Sequence, residues 1–343
     1  RAIAEGRHVD VLEMDAASRT GVAKDDAKAA KWFAKSAAQG LDRAQYGLAI
    51  LTEQGRGVTQ SDSEAALWYR RAADQGLAAA QCDLGLLYYR GKGVPQDRAE
   101  EARLYRLSAD QGFAQAQANL GAMCMAGEAQ PRTPDEAEQL LRAAATNGVP
   151  QAQFSLAWMY WKGEGANRNP SEAAVWMRKA ADQGLAVAEF NLGSMFLSGS
   201  GLAQNDVEAA AWFRRAAEKG QAQAQTNLAL LCLRGRGVEK NEAEAVAWYR
   251  KAADQGFARA QAELGKCYEF GRGVAPSSVD AFAWYSLAAD LGHRPALELR
   301  DRVASRMSDE QRQQSTSLRT AWLNSHAEAA SAIAAAESGN SEE

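Results

Sequence analysis

Histidine is nearly missing from this 343-residue chain: only His8, His293 and His326 occur, far apart along it. No nucleophile–histidine–acid grouping and no histidine-based metal site can be assembled from them. Cysteine is equally sparse. Cys82, Cys124, Cys232 and Cys267 include no CxxC pair, and their spacing fits neither a disulfide framework nor a zinc site. Four small buried hydrophobes on helices are expected instead. Prolines number seven and no Ser/Gln-rich tract is present, which excludes a collagenous or disordered chain. No run reaches the ~18 to 20 apolar residues a membrane helix needs, so direct membrane insertion is not expected. A basic excess is missing too. Lys and Arg number 39 against 43 Asp and Glu, a formal charge of −4, which argues against nucleic acid as a partner. The chain starts at Arg1 with neither Met nor a charged-then-apolar leader. That is expected of a processed or trimmed product, with any export signal lying before it.

What the chain has is repetition. Gly40, Gly76, Gly112, Gly148, Gly184, Gly220, Gly256 and Gly292 are each 36 residues apart. An alanine column (Ala44 to Ala296), a leucine column (Leu48 to Leu264) and a tryptophan column keep the same step. The last reads Trp32, Trp68, Trp176, Trp212, Trp248 and Trp284, with Leu104 and Leu140 substituting. A fixed period near this length with two helical patterns specifies an α-solenoid. In residues 41 to 76, Ala44, Leu48 and Leu51 mark one face of a first helix, which Gly55-Arg56-Gly57-Val58 ends with a left-handed cap. Ser61 opens the second helix as N-cap, and Glu64 three residues on suggests a capping box. Ala65, Trp68, Tyr69, Ala72 and Ala73 then face the partner helix, and Gly76 stops the run.

The expected organisation is a degenerate first repeat at 1–40 and seven repeats over 41–292 (41–76, 77–112, 113–148, 149–184, 185–220, 221–256 and 257–292). Capping helices follow at 293–326, and a disordered tail at 327–343. No unit buries its apolar face alone, so stability has to come from neighbouring copies.

The unit A-x-x-x-L-G-x-x-Y-x-x-G-x-G-V followed by A-x-x-W-Y-x-x-A-A-x-x-G resembles the Sel1-like repeat, a relative of the tetratricopeptide repeat. Ala80-Gln81-Cys82-Asp83-Leu84-Gly85, Tyr88 and Gly91-Lys92-Gly93-Val94 carry it in one copy. The resemblance implies an all-α fold: an α/α solenoid, a right-handed superhelix of 36-residue helix-turn-helix repeats with a C-terminal capping helix. It implies adaptor function and, through bacterial relatives, tilts the compartment toward the envelope or periplasm. One cysteine-rich branch binds penicillins through paired cysteines, a pairing this chain lacks. The unit at 113–148 departs from the pattern. Gly127-Glu128-Ala129-Gln130 replaces the G-x-G-V turn and Leu140-Leu141 the aromatic pair, so altered curvature or a pocket beside Gly127 is expected there.

Gly91-Lys92-Gly93 and Gly235-Arg236-Gly237 are helix caps, since no G-x-x-x-x-G-K-S/T run exists. The candidate site lies where the columns stop repeating. Columns headed by Arg43, Gly47, Ile50 and Gln54 share a first-helix face other than the Ala/Leu core face. In related helical-hairpin solenoids that face lines the concave groove. Trp158, Trp161 and Lys162 form an aromatic anchor with a cation. Asn119, Asn191 and Asn227 fall in one column suited to gripping an extended backbone. Arg90 and Arg234 flank them and suit an acidic partner. The leading function is therefore a non-enzymatic scaffold binding a protein or peptide segment in the groove, with no cofactor. A glycan or cell-wall binder stacking sugars on Trp158 and Trp161 is the alternative. A β-lactam-type hydrolase is third.

Overall fold

The computed structural model describes residues 25–128, 134–163, 167–327 and 331. The opening helix expected before residue 25, Thr133, Ala129, Gln130 and nearly all of the 327–343 tail lie outside the described residues. Among the described residues there are 17 α-helices and no strand. They fall into two compact units, Arg1–Asn169 and Pro170–Glu343.

The first unit holds α1 (Asp26–Ala38), α2 (Asp42–Gln54), α3 (Asp62–Asp74), α4 (Ala78–Arg90), α5 (Arg98–Asp110), α6 (Ala114–Met125), α7 (Pro134–Thr146) and α8 (Pro150–Lys162). The second holds α9 (Pro170–Asp182), α10 (Ala186–Ser198), α11 (Asp206–Glu218), α12 (Ala222–Arg234), α13 (Glu242–Ala253), α14 (Ala258–Phe270), α15 (Ser278–Asp290), α16 (Pro295–Ala304) and α17 (Asp309–Ser325). Within each unit consecutive helices up to α16 pack on one another, and α17 packs back on α15. The fold is an all-α solenoid of 36-residue helical pairs.

The turn after each first helix shows why its two glycines are there. Gly55, Gly91, Gly163, Gly199, Gly235 and Gly271 cap in the left-handed region. The second glycine is constrained twice. Gly237 has φ +71, and a Cβ on it would lie 2.0 Å from the Asp206 carbonyl oxygen. The turn therefore touches the backbone of the preceding second helix, an approach only glycine permits. The same clash holds at Gly57, Gly93, Gly201 and Gly273.

The alanine column from Ala44 to Ala296 and the leucine column from Leu48 to Leu264 are buried throughout, each leucine adding roughly 1.5 to 3 kcal/mol of burial. Met123, Met159 and Met195 are core residues, and all four cysteines are buried. Trp176, Trp212, Trp248 and Trp284 are buried; Trp68 is half-buried and Trp32 is 46% exposed.

The second-helix caps form as the sequence suggests, with Ser61, Asp97, Asn205, Asn241 and Ser277 each accepting from a first-turn N–H. The reciprocal half of the capping box is seen at Ser308 and Gln311. The repeat glutamates are used elsewhere. Glu172, Glu208 and Glu244 accept from the indole N–H of Trp176, Trp212 and Trp248 one turn on. Glu100 and Glu244 also pair with Arg70 and Arg214 of the previous second helix. The column thus ties neighbouring units together.

A buried glutamine ladder escaped the sequence reading. Gln81 Nε2 donates to the Ala73 carbonyl (3.2 Å), and Gln111 Nε2 donates to Gln81 Oε1 (2.8 Å). Gln225 and Gln255 repeat the pair. In the repeat just before that of Gln225, Glu189 stands at the glutamine position, 0% exposed, and Lys219 replaces the donor glutamine. Lys219 Nζ at 2.8 Å and Arg215 Nε at 3.0 Å hold its carboxylate. Two amides have become an ion pair at one rung, with both cations on Glu189 Oε1 and Oε2 left without a hydrogen bond.

Candidate functional site

In the first unit α2, α4 and α6, and in the second α10, α12 and α14, each lie against their own second helix on one side and the preceding second helix on the other. Gly85 meets Tyr105 of its own unit, whereas Gly47 meets Phe33 of the unit before. The Gly47 column therefore faces the seam between units. Asp83 there accepts from the Tyr46 hydroxyl (2.8 Å), and burial holds its carboxyl above the ordinary range.

The expected site residues divide accordingly. In the first unit, Asn119 is half-buried, accepting from Gln115 (3.1 Å) and bonded to the Tyr105 side chain. On α8, Trp158 stacks on Phe154 one turn earlier, with ring centroids 6.3 Å apart. Lys162 Nζ one turn later lies 5.2 Å from the Trp158 ring centroid. Trp161 is half-buried, and Arg90 is exposed at the end of α4. In the second unit, Asn191 Nδ2 donates back to the Val187 carbonyl (2.7 Å). Asn227 is half-buried, and Arg234 is exposed at the end of α12. The structure brings together Trp158 and Lys162, adds Phe154 to them, and puts Arg234 in a different company.

Two clefts open on this seam, one in each unit. The first, about 290 Å³, is lined by Tyr89, Arg98, Glu101, Tyr105, Asn119 and Glu128 among others. It lies beside Gly127, where an opening was expected; α6 ends one residue early, at Met125. Its one cation is engaged by both of its carboxylates. Glu101, 2% exposed, pairs with Arg98 (3.0 Å), which also reaches Glu128 (3.7 Å).

The second cleft, about 510 Å³, is lined by Arg234, Lys240, Glu242, Tyr249, Arg259, Glu263, Lys266 and Arg272, with Leu230 and Leu233. It is the same place four repeats on: Leu86, Tyr89, Tyr105 and Asn119 correspond to Leu230, Leu233, Tyr249 and Glu263 by a shift of 144 residues. Five cations stand against two carboxylates here. Glu242 is engaged by Lys240 (2.8 Å) and Glu263 by Lys266 (2.7 Å). Arg259, Lys266 and Arg272 were not singled out from the sequence, although Lys266 stands in the varying Ile50 column and Arg259 in the one headed by Arg43.

The buried thiols offer no nucleophile at neutral pH, since burial pushes Cys82 up to about 12 and Cys267 to about 11. Among the described residues no cluster of His, Cys, Asp and Glu has metal-binding geometry, and no helix is long and apolar enough to cross a membrane.

The Sel1 repeat profile matches residues 18–41, 42–77, 78–113, 114–149, 150–185, 186–221, 222–257 and 258–293. The chain belongs to the Sel1 repeat family. A Sel1 repeat protein from Oxalobacter formigenes is 34% identical, covering 82% of this chain and 83% of that one, with a TM-score of 0.62. A protective antigen of uropathogenic Escherichia coli with the same repeat fold is 25% identical over 96% of this chain and 97% of its own, with a TM-score of 0.51. No curated protein matches the chain. Sel1 repeat proteins are generally protein-interaction scaffolds. On this Sel1 array the stacking columns are committed to the core.

Proposed function

We propose that this Sel1 repeat chain is a non-enzymatic scaffold that binds a protein or peptide segment across the seam face of its first helices. The observation that carries the reading is the Phe154–Trp158–Lys162 stack on α8, a partly exposed aromatic anchor beside a cation. Residues of this kind dominate protein interfaces. Arg90 and Asn119 extend the surface in the first unit; Asn191, Asn227 and Arg234 provide its counterpart in the second.

Photocrosslinking from position 158 and from the exposed Leu67 on α3 tests this. A protein adduct from position 158 is expected, with Trp158→Ala weakening that partner by about 1 to 3 kcal/mol and barely moving the melting temperature. If Trp158→Ala and Asn191→Ala bound normally while changes around Leu67 abolished binding, the face would be misassigned. A glycan ligand is the second reading, favoured by the half-exposed Trp158 and Trp161. The Trp158 ring already has neighbours one turn before and one turn after, which suits an anchor better than a sugar platform. Calorimetry against peptidoglycan fragments and peptides separates the two.

A further inference from the structure

Four units carry tyrosine in the second-helix column headed by Tyr69: Tyr69, Tyr105, Tyr249 and Tyr285. Three of the four hydroxyls are satisfied by the chain. Tyr69 Oη donates to Glu53 Oε2 (2.9 Å), and Lys92 Nζ reaches the other oxygen of that carboxylate (3.2 Å). Tyr285 Oη donates to Glu269 Oε2 (2.8 Å), which Arg302 Nη2 also binds (2.7 Å). Tyr105 is bonded to Asn119. The chain has thus built a tyrosine–carboxylate–cation triad twice.

Tyr249 is the exception. Leu233 stands where Glu53 and Glu269 stand, 180 and 36 residues away in register. The Tyr249 hydroxyl has no hydrogen-bond partner, although the residue is 0% exposed. An unpartnered buried hydroxyl costs about 1 to 3 kcal/mol, so the position calls for an explanation. The cation of the triad is in place: Arg272 is the register equivalent of Lys92. Glu263, which Lys266 engages, lies near enough for its charge to act on Tyr249, and Arg259 and Arg234 oppose it there. None of these three arginines makes an ion pair among the described residues, and all three line the 510 Å³ cleft with Tyr249.

We propose that the cleft over Tyr249 receives a glutamate or aspartate side chain of a protein partner, whose carboxylate completes the triad with Tyr249 and Arg272 and is gripped from outside by Arg234 and Arg259. A side chain is the fitting source because both complete triads in the molecule use one. Charge-assisted bonds from arginine and a hydroxyl are the strong kind, and Leu230 and Leu233 supply an apolar wall for the side-chain stem. The inference deepens the scaffold reading and rests on it, yet concerns a different unit from the Trp158 anchor.

The test is calorimetry of the full chain at low salt with a doubly blocked peptide, acetyl-Gly-Glu-Glu-Glu-Gly-amide. Its glutamine analogue, the glutamine analogue with a free carboxyl terminus, and inorganic phosphate are the comparisons. The glutamate peptide should bind at least tenfold more tightly than any of the three. Leu233→Glu, which offers Tyr249 a carboxylate from within the chain, should cut its affinity at least tenfold. Glutamate placed at the exposed Ala247 should change it less than twofold, and Tyr249→Phe should reduce it a few-fold. Unaltered peptide binding by Leu233→Glu, or equal losses from Leu233→Glu and Ala247→Glu, would overturn the proposal. Phosphate or the free-carboxyl peptide binding as tightly as the glutamate peptide would also overturn it. Crosslinking from position 158 is read on the other unit, so failure here leaves the scaffold reading to stand or fall separately.

Discussion

The two clefts occupy one repeat position in two units and differ in what fills it. In the first unit Arg98 is shared by Glu101 and Glu128, and Tyr105 is bonded to Asn119. In the second, Leu233, Glu263 and Arg272 stand at the places of Tyr89, Asn119 and Glu128, leaving three arginines without an ion pair among the described residues around an unpartnered hydroxyl. The repeat position is shared, so the difference there is chiefly one of side chains. A solenoid holds its shape through columns that do not vary, and the side chains at each seam can differ.

The largest expected effect breaks the closed cleft. Arg98→Ala should destabilise by about 3 kcal/mol at pH 7, because Glu101 is left as a buried carboxylate without its cation. Arg234→Ala should stay within about 0.5 kcal/mol, as a surface change does. Burial already raises the Glu101 carboxyl above its ordinary range. The penalty is therefore present above its folded-state pKa and shrinks as falling pH protonates it. Denaturant melts of both variants at pH 7 and pH 4.5 check the magnitude and the sign together.

Next in size is Glu53→Leu, which gives Tyr69 the surroundings Tyr249 has by nature. A loss of about 2 kcal/mol is expected from the stranded hydroxyl, while Lys92 keeps its pairing with Asp62. In the same measurement Tyr285→Phe should cost about 1 kcal/mol, whereas Tyr249→Phe, which removes an unpartnered buried hydroxyl, should stabilise by about 1 kcal/mol.

Much of this was legible in the sequence. The period of 36, the glycine caps, the N-cap column and the buried leucines follow from residue types at fixed spacing. The glutamate column was legible only in part, because its contacts to the tryptophan indoles and to Arg70 and Arg214 cross between turns and units. The glutamine ladder was missed because an isolated glutamine column carries no hydropathy signal. The Trp158–Lys162 pairing could be read from one-turn spacing. The cleft over Tyr249 could not, since it joins residues of three helices. Its signal was present as Leu233 in a column that holds glutamate at 53 and 269, and becomes meaningful only once Tyr69 and Tyr285 are seen to use those glutamates.

The smallest expected effect lies at the seam before the closed cleft. Asp83→Asn should raise the melting temperature at pH 7, because burial makes the ionised carboxylate costly there while the amide oxygen still accepts from Tyr46. Asp83 has a raised folded-state pKa, so its cost applies above that value. The gain should fade as the pH drops toward the ordinary carboxylate range.

The most direct test of the shared cleft geometry is a double-mutant cycle between Leu233→Glu and Tyr249→Phe, read by denaturant unfolding. If position 233 stands to Tyr249 as Glu53 stands to Tyr69, the introduced glutamate accepts from the hydroxyl, and the cycle gives a favourable coupling of about 1.5 kcal/mol. A coupling indistinguishable from zero, with both single variants folded, would contradict the correspondence between the two units on which the account depends.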